Sequence, residues 1–172
     1  MRTPIRKTPP APADDAPLLS SLAGEGLRKT RIPHQKILRA LEGNPDGSTS
    51  LVEIYRRQVL PVRTRTIRLP GRKSPARILT TLLGYEVLAS RKRIQCPDMV
   101  TARYLKLFAE LGCRTIKLPY DPTATARLLP ELEGCIEKIV SGIEALFPEN
   151  KPVQRYVLRN MYGILRSRLR ME

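Results

Sequence analysis

The chain has 172 residues with an apolar fraction of 41%, enough for a domain with a buried core, and it has no apolar run near the roughly 18 residues of a membrane span. It carries 31 Lys and Arg against 16 Asp and Glu, giving a net charge of +15 and a pI of about 10.4. Cys96, Cys113 and Cys135 are too few and too scattered for a disulfide framework; His34 alone makes neither a zinc pattern nor a triad, and the isolated glycines make no phosphate loop, so no cofactor, no metal and no catalysis are expected.

Five prolines and no apolar period mark residues 1–17 as a disordered tail rather than a signal or transit segment. Leu18 to Leu27 reads as a short helix weakened by Gly24 and Gly26. Pro33 opens a second helix over HQKILRALE, which GNPDGS ends. Ser48 or Ser50 caps a helix through LVEIYRRQVL that stops at Pro61, and VRTRTIRL, with β-branched residues interleaved with arginines, suits an exposed strand. Alternation there puts Thr66 and Arg68 on one side and Ile67 and Leu69 on the other. After the Pro70–Gly71 turn, Ser74–Pro75 starts a helix expected to bury Ile78, Leu79, Leu82, Leu83 and Val87.

The clearest helix is PDMVTARYLKLFAELG, capped by Asp98 and stopped by Gly112. Val100, Tyr104, Leu107, Phe108 and Leu111 form its apolar stripe, with Ala102, Arg103, Lys106 and Glu110 opposite. CRTIKL is a short strand. The stripe Leu128, Leu132, Cys135, Ile136, Ile139, Ile143 and Leu146 follows, with Pro130 expected to split it into one helical turn and a longer helix. A last helix from about Pro152 to Arg170 buries Val153, Val157, Met161, Ile164 and Leu165. It gathers Arg155, Arg159, Arg166 and Arg170 within about 60° of one another.

RTIRLP at 65–70 returns as RTIKLP at 114–119, and Ala76, Arg77, Leu79, Leu82 and Gly84 are matched by Ala126, Arg127, Leu129, Leu132 and Gly134. A weaker echo, KILRALEG, lies upstream. The expected architecture is therefore mainly α. It is a single domain over 18–172, built from two or three degenerate units of short strand, helix and helix (about 31–61, 62–112 and 113–170), with a helix-turn-helix arrangement as one form.

Charge is unevenly placed. Arg56 to Arg93 holds eleven basic residues and the single acid Glu86, for +10; residues 151–172 add +5, and 94–150 amount to −2. Such clustering builds the local field that attracts a polyanion. The candidate nucleic-acid contacts are Arg56, Arg57, Arg63, Arg65, Arg68, Arg72, Lys73, Arg91, Lys92, Arg93, Arg103 and Lys106. Arg155, Arg159, Arg166 and Arg170 form a second basic face for nucleic acid or protein. TARYLKLFAELGCRTIKL, within residues 75–119, also resembles the third helix and first wing strand of winged helix-turn-helix DNA-binding domains. That resemblance implies Met99, Thr101, Ala102, Arg103 and Lys106 near a major groove. Pro97–Asp98 with Glu149–Asn150–Lys151 is superficially similar to a nuclease pattern, but Asp98 reads as a cap and Glu149 as part of a turn.

The expectation is a non-catalytic protein that binds nucleic acid, duplex DNA ahead of RNA, in a transcriptional, nucleoid or mobile-element role. It would be cytoplasmic and nucleoid-associated, with no membrane partner and with the last helix available to a second copy or another protein. The alternatives are an RNA- or ribosome-associated protein and an adaptor docking an acidic protein. With six Tyr, two Phe and no Trp, single-strand stacking ranks lower.

Overall fold

A computed structural model describes residues 50–73 and 75–170. The expectations for the tail, for the helices over Leu18–Leu27 and 34–42, for Ser48 and for Ser74 lie outside the described residues. Helix α1 (Leu51–Ile54) is capped by Ser50, whose Oγ accepts from the Glu53 N–H, and continues as a π-helical turn (Tyr55–Val59). Strands follow: β1 (Thr64–Arg68), β2 (Ala76–Thr81), β3 (Gly84–Ala89) and β4 (Lys92–Cys96). Then come helix α2 (Met99–Leu111), strand β5 (Thr115–Pro119) and helices α3 (Pro122–Leu146) and α4 (Lys151–Arg170).

The fold is mixed α/β, and this corrects the mainly helical repeat architecture, its helix-turn-helix form included. The described residues form two sheets: β2, β3 and β4 make an antiparallel meander, and β1 pairs antiparallel with β5. The doubled word is explained by that second pairing. The two copies are partners, with Thr66 opposite Lys117 and Ile67 opposite Ile116. Ile116 and Leu118 are buried and Ile67 is half-buried, while Thr66, Arg68 and Lys117 face solvent. The similarity ends there. After β1 the chain forms a hairpin, whereas after β5 it forms a helix, so 65–89 and 114–139 are not equivalent units.

ARILTTLLGYEVLAS has apolar residues at spacings that fit a helix, but its β-branched residues pair across strands: Ile78 with Val87, and Val87 with Ile94. Val87 is fully buried. Leu82 and Leu83, expected in the core, form the turn between β2 and β3 and are the most exposed large apolar residues described, at 105% and 79%. Pro130 does not split α3. The helix passes through it with Leu128, Leu129 and Leu132 buried around it and Pro130 itself exposed, so packing outweighs the missing N–H.

Helix α2 is the centre of the core. Asp98 caps it by accepting from the Thr101 N–H at 2.6 Å and the Thr101 hydroxyl at 2.9 Å, and Gly112 ends it at φ +81°. It packs on the β2–β3–β4 sheet and against α3 and α4. Ala102, expected on its polar side, is therefore fully buried. Tyr104 and Tyr55 both pack on Phe108, with centroids 4.9 and 5.7 Å from it. The Tyr104 hydroxyl donates to the Lys117 carbonyl at 2.7 Å, and the Tyr55 hydroxyl accepts from the Lys117 N–H at 2.9 Å.

Chemical denaturation should show Phe108→Ala losing about 3–5 kcal/mol. Tyr104→Phe, which strands a buried carbonyl, should lose about 1–3 kcal/mol. The double change Leu82→Ser, Leu83→Ser should stay within about 0.5 kcal/mol of the parent, as surface substitutions do. A loss of several kcal/mol from the leucine pair would put that turn in a core.

Candidate nucleic-acid interface

The basic side chains meet where the chain reverses. After β1, the Leu69 N–H donates to the Arg114 carbonyl at 2.7 Å and the Gly71 N–H to the Cys113 carbonyl at 3.1 Å, so residues 69–71 run beside the start of β5. Gly112 makes the junction close. A Cβ there would lie 2.9 Å from the Lys73 backbone nitrogen and 3.0 Å from Arg166 Nη1, on a backbone already in the left-handed region. Arg114 lies directly over Gly71. Lys73 Nζ sits 4.4 Å from the centre of the Tyr162 ring on α4.

The meander adds to the same end. Ala76 at the start of β2 pairs with Ala89, and Ala89 with Lys92, which places the Ser90–Arg91 turn beside Pro75 at the foot of β2. Lys92 Nζ donates to the Arg68 carbonyl at 2.5 Å. Arg68, Arg72, Lys73, Arg91, Lys92, Arg93, Arg159, Arg166 and Arg170 thus gather at one end of the molecule. The segment and the helix stripe that look separate in sequence form one surface. Arg155 lies one turn of α4 beyond Arg159. Acids adjoin this end: Glu86, 3.6 Å from Arg93; Glu110, 4.0 Å from Lys106; and Glu133 and Glu137, which line a hollow with Glu110 and Tyr162.

Other expected contacts lie elsewhere or are paired with acids. Arg56 and Arg57 are exposed on the π-helical turn after α1. Arg63 stacks on Tyr120, 5.1 Å from its ring centre, and Arg65 is at the opposite half of β1. Arg103 makes a two-point ion pair with Glu133 on α3, and Lys106 faces Glu110. Of the residues that the winged-helix resemblance implies near a groove, Thr101 and Ala102 are buried. Two further cations join the end, Arg114 and Lys117. Both belong to RTIKLP, in the stretch whose acids outnumber its bases; the signal for them is the duplicated word, which reads as a connector.

The crowding shows in proton affinities. Lys73 is held below the usual lysine range, first by burial and then by Arg159, with Glu110 acting the other way. Burial pushes the Cys113 thiol up to about 11 against the opposing pull of Arg166 and Arg170, and burial likewise raises Cys96 to about 11. Among the described residues no three His, Cys, Asp or Glu side chains come together to hold a metal ion, and no helix is long and apolar enough to cross a membrane. Comparison with protein-family models, curated proteins and solved structures finds no match.

At pH 8 the buried thiols Cys96 and Cys113 should resist iodoacetamide in the native protein, half-buried Cys135 should react first, and all three should react in denaturant. Because the folded chain holds the two buried thiol protons more tightly, their contribution to stability is full below the unfolded value near 9 and is lost as pH rises through about 11. Mass spectrometry of alkylated protein and melting curves from pH 7 to 11 check both.

Proposed function

We propose that this chain binds nucleic acid without catalysis, duplex DNA ahead of RNA, through the basic end made by residues 69–73, the β3–β4 turn, the start of β5 and α4. The observation that carries it is the convergence: cations from four separate parts of the chain meet on one surface, with acids at its margin. Holding like charges together raises the free energy of the unbound protein, and at Lys73 the nearby Arg159 adds to burial in lowering the proton affinity. A polyanion relieves it. Phosphates recur every 1.7 Å or so along a duplex, so a broad patch of arginines can meet several at once, with release of the bound counterions.

A duplex suits the surface better than a single strand. Phe108 is buried, Tyr162 lies half-buried beneath Lys73, and exposed Tyr120 is stacked with Arg63 away from this end. That leaves exposed Tyr156 beside Arg155 on α4, one ring rather than a row on which successive bases could stack. Arginines and a lysine on turns are suited to phosphate contacts, which position a protein on a duplex without reading its sequence.

Salt titrations on duplex DNA, duplex RNA and single strands test the reading. If the surface meets about six phosphates, the log–log slope on duplex DNA should be near −5. Replacing Arg72, Arg91, Arg93 and Arg159 with glutamine should flatten it by about 0.9 for each phosphate left unneutralised, with helix content unchanged. Replacing Arg56, Arg57 and Arg63 should do far less. If the second set abolishes binding and the first spares it, the interface is on another face.

A further inference from the structure

At the margin of the basic end is a concavity of about 220 Å³ beside β5. Lys117, Arg170, Thr66 and Thr115 give it polar walls, Ile116 and Leu169 are among its apolar lining, and no acid among the described residues lines it. We propose that this pocket binds a phosphomonoester, either the terminal phosphate of a nucleic-acid strand or a free nucleotide. The strand-end form rests on the nucleic-acid reading above; the free-nucleotide form does not.

Lys117 is unusually well placed for an exposed lysine. Both backbone polar groups of Lys117 are held by tyrosine hydroxyls, Tyr55 on the N–H and Tyr104 on the carbonyl, and those rings are packed on Phe108 in the core. The side chain therefore leaves from a fixed point, which lowers the entropy lost on gripping a ligand. Its ammonium donates to Thr66 Oγ1 at 2.9 Å, which uses one of three N–H donors and leaves the hydroxyl proton of Thr66 free to donate in turn. Arg170 brings a planar guanidinium suited to two phosphate oxygens. Arg166 stands behind it: both arginines bear on the adjacent Cys113.

Charge and shape select the monoester. It carries a charge of about −1.5 to −2 at pH 7, against one negative charge for a phosphate within a strand, and so matches two cations. A hollow of this small volume admits a terminal group more readily than a continuous backbone. The volume is below the roughly 300–1,000 Å³ of pockets that enclose larger ligands, which suits a phosphate with a small organic body on an apolar floor.

The test uses the full chain. Calorimetric titration with inorganic phosphate, adenosine 5′-monophosphate and adenosine should give binding to the first two and none to adenosine. Binding should weaken as pH falls below about 6, where the monoester gains a proton. Lys117→Gln and Arg170→Gln should each weaken it about tenfold, the loss of a charge-assisted hydrogen bond, without moving the melting temperature. Duplexes of one sequence with 5′-phosphate or 5′-hydroxyl ends then separate the sources. Tighter binding of the phosphorylated duplex, lost in Lys117→Gln, assigns strand ends; equal duplex binding together with monophosphate binding assigns free nucleotide. Phosphate and monophosphate binding no better than adenosine, or no weaker in both variants, overturns the pocket. That result leaves the duplex reading standing if duplexes still bind, whereas monophosphate binding with no duplex binding removes the duplex reading and keeps the pocket.

Discussion

The backbone of Lys117 is the point on which the other elements are set. The β1–β5 ribbon has two strands, and a ribbon of that size is marginal alone and exposes unpaired backbone groups along its edges. Here the outward N–H and carbonyl of the middle residue of β5 are met by two phenolic hydroxyls, one from the turn that continues α1 and one from α2. Tyr104 and Tyr55 reach that peptide because Phe108 supports both rings, so three residues fix two helical segments to one strand. The exchange suits both sides: a buried tyrosine needs a partner for its hydroxyl, and an edge strand needs a cover for its peptide.

Once α2 is fixed this way, its C-terminal end determines where charge collects. Gly112 allows the backbone of Lys73 and the guanidinium of Arg166 to approach together, and no residue with a side chain fits there without displacing them. The partial negative charge of the helix C-terminus favours the cation beside it. Arg72, Lys73, Arg91 and Arg114 sit in loops, turns or at the foot of a strand, and they meet because strand pairing brings those reversals to one side. At the other end of the strands Leu82, Leu83, Met99 and Tyr120 are exposed, together with Arg65 and with Arg63, which stacks on Tyr120.

Several elements can be read from local chemistry. Ser50 and Asp98 mark helix starts because a short side-chain oxygen satisfies free N–H groups within three residues, and Gly112 marks a stop because it alone adopts the left-handed turn freely. TIR and TIK, with β-branched residues beside long cations, read as one-sided strands for the same local reason. Pro130 and the stretch 76–89 mislead for one shared cause. A missing helical N–H and a helix-like apolar spacing are both weak preferences, and buried contacts with distant residues override them. Gly84 and Gly134 make the point directly: matched letters in matched words, one at φ +114° closing a hairpin and the other inside a helix with open space around it.

The same division holds for the candidate site. The surplus of arginine and lysine, the Asp98 cap of α2 and the two short strands are properties of composition and of residues close together in the chain, so they are legible in the letters alone. That Arg68, Arg91 and Arg166 share a surface, that Arg103 is instead turned toward Glu133, and that Lys117 lines a pocket were decided only by the tertiary structure. Those relations depend on which strand pairs with which and on how α4 returns across Gly112. Pairing is a competition among all possible partners in the folded chain, and no short word of sequence contains its outcome.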